Sequence, residues 1–100
     1  KMNIEISKSN RDGKKLKAVI DGKKTIHFGQ AGASDFTKHK DEARKERYID
    51  RHQKREDWGK SGVDTAGFMS KNLLWNKPTL QASVNDLNKR YKDINFKLKK

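Results

Sequence analysis

The chain has 100 residues, 25 Lys and Arg against 13 Asp and Glu, a formal charge of +12 and no cysteine. A disulfide scaffold, a cysteine-ligated zinc finger and a thiol enzyme are therefore excluded, and redox compartment cannot be read from cysteine usage. Hydrophobic residues make up 31%, enough for one modest core in a single small domain, and no apolar run approaches the roughly 20 residues of a membrane span. A soluble chain is expected, with no membrane insertion and no signal-peptide core in residues 1 to 10. Two Trp, two Tyr and four Phe argue for a folded domain over a disordered basic tail.

The first third reads as β, a meander over residues 1–28. Ile4 and Ile6 alternate with polar neighbours, Asn10-Arg11-Asp12-Gly13 is a turn cluster, and Leu16, Ala18 and Ile20 alternate again. Asp21-Gly22 follows, and Asp-Gly between two alternating runs signals a hairpin whose central residues both need positive φ. Ile26 and Phe28 then share one face of a third strand. The prediction is a three-stranded antiparallel meander, aliphatic on one face and rich in lysine on the other.

Gly29, Gly32 and Ser34 mark a loop. Residues 41–58 contain helix formers without Gly or Pro and predict a charged helix of roughly four to five turns. Its apolar face is thin, with Ala43, Tyr48, Ile49, His52 and Trp58 the candidates for burial. Asp41–Lys45 and Asp50–Lys54 are spaced as i,i+4 pairs. Residues 35 to 60 carry nine Lys and Arg against seven Asp and Glu, so most of the excess charge lies in the flanking segments. Thr65 caps a second helix over 65–75 that carries Phe68, Met69, Leu73 and Leu74. After Asn76-Lys77-Pro78, Thr79 opens a third over 79–91, where Leu80, Val84, Leu87 and Tyr91 recur as one buried stripe. Ile94, Phe96 and Leu98 alternate with polar residues and predict a closing strand over 94–98. The fold class is thus α+β, with no internal repeat.

Chemistry has few places to reside. Gly59-Lys60-Ser61 resembles the end of a phosphate-binding loop, but position 54 is Lys54 where a glycine is needed, and no buried strand precedes it. A metal-dependent nuclease would have to use His39, Asp41 and His52. No two histidines, His27 included, are spaced as a local zinc site, and no serine or threonine has a visible His–carboxylate relay. Asp35, Asp41, Glu42, Glu46 and Asp50 read as residues spread around a solvated helix, interleaved with cations. No catalytic residue, cofactor or metal is expected.

The basic surface is the strongest signal. Lys14, Lys15, Lys17, Lys23 and Lys24 flank one hairpin, and Lys89, Arg90, Lys92, Lys97, Lys99 and Lys100 populate the end. Such clusters attract phosphate backbones or acidic protein surfaces, and also serve simply to solubilise a chain and protect sheet edges. Phe36, Tyr48, Trp58, Phe68 and Trp75 suit a thin core, with Trp58 the one closest to a stacking anchor. The candidate partner-binding residues are Lys14, Lys15, Lys17, Lys23, Lys24, Trp58, Lys89, Arg90, Lys92 and Lys97.

The strings His27-Phe28-Gly29, Ser34-Asp35-Phe36-Thr37-Lys38-His39-Lys40-Asp41, Arg44-Lys45-Glu46-Arg47-Tyr48-Ile49, Arg51-His52 and Arg55-Glu56-Asp57-Trp58 carry a resemblance. Thr65-Ala66-Gly67-Phe68 and Leu73-Leu74-Trp75-Asn76-Lys77-Pro78-Thr79-Leu80 extend it, over about residues 14 to 90. The chain resembles small, basic, functionally uncharacterised proteins encoded by large double-stranded DNA viruses of algae and amoebae. That resemblance supplies no enzymatic activity. It implies a virion protein, present in the host cytoplasm during assembly: a minor capsid or cement component docking on other virion proteins, or alternatively a sequence-nonspecific binder of DNA or RNA.

Overall fold

The computed structural model describes residues 2–32, 34–56, 58–59 and 62–99. Strands β1 (Met2–Lys8), β2 (Lys14–Ile20) and β3 (Lys24–Gln30) form the expected antiparallel meander. Strand β4 (Ile94–Leu98) joins the same sheet parallel to β1, giving the order β3-β2-β1-β4 and an α+β fold. Alternation decides which face is covered. Ile4, Ile6, Leu16, Ala18, Ile20, Phe28, Ile94 and Phe96 are buried, while Asn3, Glu5, Lys17, Thr25, Asn95 and Lys97 on the opposite face are not.

The β2–β3 turn is where the Asp-Gly pair places it. Asp21 and Gly22 have φ of 53° and 68°, and Asp21 clasps β1 by accepting from the Asn3 amide and donating its own amide to the Asn3 carbonyl, both at 2.8 Å. A Cβ at Gly22 would meet nothing within 4 Å, so only the backbone conformation resists a side chain there. Gly22→Val is expected to cost about 1 kcal/mol or more, read from the denaturant midpoint, because a β-branched residue is strained at positive φ.

The helical layer departs from the sequence reading in three places. A short helix, α1 (Phe36–His39), occupies what reads as loop; Asp35 caps it by accepting from the Thr37 amide at 2.9 Å. Helix α2 covers Glu42–His52 rather than 41–58, about three turns. Asp41 is its N-cap, accepting from the Ala43 and Arg44 amides, so it is not the body partner of Lys45. Beyond His52 the chain has no apolar side chain to bury until Trp58, and Glu56 turns back to bond both His52 Nδ1 (2.7 Å) and the Trp58 indole N–H (3.1 Å). The Asp50–Lys54 spacing therefore runs past the helix end. Lys45 instead donates to the Asn76 carbonyl at 2.7 Å and lies over the Phe36 ring.

The segment read as one helix over 65–75 is α3 (Ala66–Met69), capped by Thr65 as expected, followed by a wider π-helical stretch, Ser70–Leu74. The Trp75 amide reaches the Ser70 carbonyl, five residues back. The wider turn lets three consecutive residues, Asn72, Leu73 and Leu74, all be buried, a pattern that 3.6-residue periodicity does not produce. Buried Asn72 is satisfied by donating to the Phe68 carbonyl and accepting from Arg90.

Helix α4 (Leu80–Arg90) is capped by Thr79 and carries the predicted stripe: Val84 and Leu87 are buried, and Leu80 and Tyr91 pack half-buried against the core. It also protects the edge of β4. The Asn88 side chain donates to the Phe96 carbonyl at 2.9 Å and accepts the Phe96 amide at 2.8 Å, as a neighbouring strand would. Asn88→Ala is expected to cost about 1–3 kcal/mol in thermal unfolding and to promote self-association in sedimentation, because an open strand edge templates further pairing.

Candidate polyanion-docking surfaces

The candidate cations fall into two groups. Lys15 and Arg90 are committed inward. Lys15 Nζ lies 2.5 Å from Asp35 Oδ2, with side-chain exposures of only 13% and 3%. Lys15 occupies the outward register of β2, yet its stem crosses Gly29 between the paired positions Lys14–Gln30 and Leu16–Phe28. A Cβ at Gly29 would sit 3.3 Å from Lys15 Cβ and 2.7 Å from Leu74 Cδ1, so the missing side chain makes the passage. Asp35 is held below the usual carboxylate range: burial alone would raise it, and the hydrogen bonds from Lys15 and Thr37 and the Lys15 charge prevail. Arg90 is spread between Asp86 (3.1 Å) and Asn72 (2.7 Å).

Trp58 is half-buried, its indole N–H donated to Glu56 and its ring faced by Lys71 Nζ at 5.5 Å. It belongs to the frame between α2 and α3. Lys24 forms an exposed pair with Asp64 at 3.1 Å, worth little. Lys14, Lys17, Lys23, Lys89, Lys92 and Lys97 make no ion pair among the described residues and stay available to a partner. Lys100, and the Lys60-Ser61 part of the phosphate-loop reading, lie outside the described residues.

Sheet register distributes these cations. Met2 pairs with Ile94 and Ile20 with Lys24, so Lys23, Lys24 and Lys92 share one end. Lys8 pairs with Leu16 and Ile6 with Leu98, so Lys8, Lys14 and Lys99 share the other. At that second end His27 is held below its ordinary value by burial and by Arg11, Lys17 and Lys14, and its Nδ1 lies 2.7 Å from Ser9 Oγ.

A third cationic surface was not legible from net charge. At about 100° per residue, Arg44, Arg47 and Arg51 fall within an arc of about 60° on α2, whereas Glu42 and Glu46 lie on the far side and Asp50 stands at the edge of the arginine face, lining one cavity with it. The arginines are thus gathered on one side, with Asp50 as their acidic neighbour. All three guanidiniums are exposed and without an ion pair among the described residues. Two cavities, of about 310 and 450 Å³, share Arg44, Arg51 and half-buried Trp75. Trp75 stacks on Tyr48 at 4.4 Å with the rings 5° from parallel, and Tyr48 stacks in turn on His52 at 4.2 Å. Burial and Glu56 push the Tyr48 hydroxyl up to about 12, against a smaller opposing effect of Arg51. A helical wheel of charge sign, rather than a sum over the segment, would have found the ridge.

The nuclease residues do not converge. His39 accepts the Asp41 amide at Nδ1 and tilts against Trp75, whereas His52 lies beyond Tyr48 and pairs with Glu56. Two aromatic rings stand between them. The tautomer this requires at His39 puts its proton on Nε2, which is buried and meets no hydrogen-bond partner among the described residues. Among those residues no group of three or more His, Cys, Asp or Glu is placed to hold a metal ion.

Sheet, helical cover and unpaired cations together define a small two-layer α+β module with several cationic surfaces. Residues 4–52 match a protein family described as a family of unknown function (DUF5754), a match that spans the meander, α1 and α2. No curated protein and no solved structure matches the chain. Among the described residues no helix is long and apolar enough to cross a membrane.

Proposed function

We propose that this chain is a non-enzymatic structural protein that docks on acidic protein surfaces, a virus-encoded minor capsid or cement component. The observation that carries the docking reading is the placement of unpaired cations at both ends of the sheet, roughly 20 Å apart for seven-residue strands, with the α2 ridge as a further surface. A chain that is cationic at two ends can bridge two acidic neighbours, whereas a nucleic-acid groove gathers its cations along one track. The viral setting rests on the sequence resemblance. Mass spectrometry of purified virions, separated into shell and nucleoid fractions, tests it: recovery with the shell, resistant to salt, is the expected result.

One observation favours a second reading, binding of single-stranded or duplex nucleic acid: three arginines beside a stacked, half-buried Trp75 suit phosphates flanking a base. Salt separates the two. Duplex binding through six cations would weaken about a thousandfold or more between about 50 and 200 mM salt, while an interface with apolar anchors loses far less. Tight duplex binding at physiological salt, with recovery only in the nucleoid, would establish the second reading.

A further inference from the structure

At the Lys8 and Lys14 end the sheet and helices splay apart, leaving an open cavity of about 610 Å³. Its floor is aliphatic: Leu16, Leu74, Leu80 and Leu98 line it, from β2, the π-helical stretch, α4 and β4. No large hydrophobic side chain among the described residues is fully exposed, and Leu80 and Leu98 are among those only partly buried. Apolar surface therefore reaches solvent here through the partly buried Leu80 and Leu98, with Leu16 and Leu74 buried beneath them.

The rim is cationic. Lys8, Lys14 and Lys38 line the cavity without an ion pair among the described residues, and Lys99 makes only a loose 3.6 Å contact with exposed Glu5. The one carboxylate in the wall among the described residues, Asp35, is already compensated by Lys15. The occupant must therefore bring both aliphatic bulk and several negative charges. A fatty carboxylate brings one charge to a rim of several ammonium groups. Nucleic acid brings many charges, but its bases seek aromatic platforms, and among the described residues no aromatic ring lines this cavity.

We propose that this cavity is the docking site for an acidic chain segment of the partner protein, one carrying large aliphatic side chains between carboxylates. The inference rests on the docking function above and names what the partner presents. The leucines would take the apolar anchors, and the lysines would steer and orient the flanking carboxylates.

A short synthetic peptide with two leucines between runs of aspartate and glutamate is the probe, followed by fluorescence anisotropy and by leucine methyl spectra of the full chain. The methyls of Leu16, Leu74, Leu80 and Leu98 are expected to shift. Replacing the peptide leucines by serine is expected to weaken binding at least about tenfold, as is the variant carrying Lys14→Glu and Lys38→Glu, both at exposed positions. Equal binding of the serine peptide with unmoved methyls overturns the proposal, as does displacement of the peptide by dodecanoate or oligothymidylate that moves the same methyls. A peptide that perturbs only Arg44, Arg47 and Arg51 removes the cavity but leaves acidic docking standing. Failure of both peptides to bind anywhere removes both.

Discussion

Lys15→Ala is expected to destabilise the fold by about 3–5 kcal/mol, because it strands a carboxylate that is 2% exposed. Asp35 would keep its bonds from Thr37 but lose the ammonium that offsets its desolvation. The pH dependence gives the sign. In the parent protein the Asp35 carboxyl lies below its ordinary value, so its contribution is complete above the ordinary carboxylate range and is lost as pH falls through the lowered pKa. In the alanine variant burial is still opposed by the Thr37 bonds but no longer by Lys15, so the pKa should rise relative to the parent and the deficit should shrink as pH falls and Asp35 takes up its proton. Denaturant titrations at neutral pH and near pH 4 measure both effects. Asp35→Asn retains the α1 cap without the charge, so Lys15→Ala in that background should cost far less. An equal cost in both backgrounds would mean that the lysine stem, not its charge, carries the effect.

Leu87→Ala is expected to cost about 2–5 kcal/mol. Leu87 is fully buried where α4 meets the sheet, and its removal leaves a cavity between layers that pack from different parts of the chain. For a domain of this size the whole stability is about 5–15 kcal/mol, so the variant should lose much of its folded population on mild heating. A cost under about 1 kcal/mol would show that the layers close over the gap.

The strands, the Asp21-Gly22 turn and the α4 stripe were legible because each is a local pattern: alternation of two, a dipeptide with forced φ, and apolar steps of four and three. What escaped depends on contacts distant in sequence. The end of α2 is set by Glu56 reaching His52 and Trp58, not by a breaking residue. In the π-helical stretch the buried Asn72 is satisfied by Arg90 from α4, a partner eighteen residues away. Lys15 reads as an outward strand lysine, and only Gly29 on the neighbouring strand and Asp35 beyond it turn it inward. The arginine ridge was hidden for a different reason, since summing charges along a helix erases the side on which each one stands. Of the cations chosen from sequence, Lys14, Lys17, Lys23, Lys89, Lys92 and Lys97 make no ion pair among the described residues, whereas Lys24 is paired with Asp64.

The parallel pairing of β1 with β4 governs how the molecule is made. During synthesis the meander can form as soon as residue 30 has left the ribosome, with Ile4 and Ile6 on a strand whose second edge has no neighbour. That edge waits through some sixty further residues until Ile94–Leu98 arrives to pair with Met2–Ile6. Until then the nascent chain presents an unpaired, apolar strand edge to whatever else is nearby, so translation speed and chaperone access between β3 and β4 should govern how much protein is recovered.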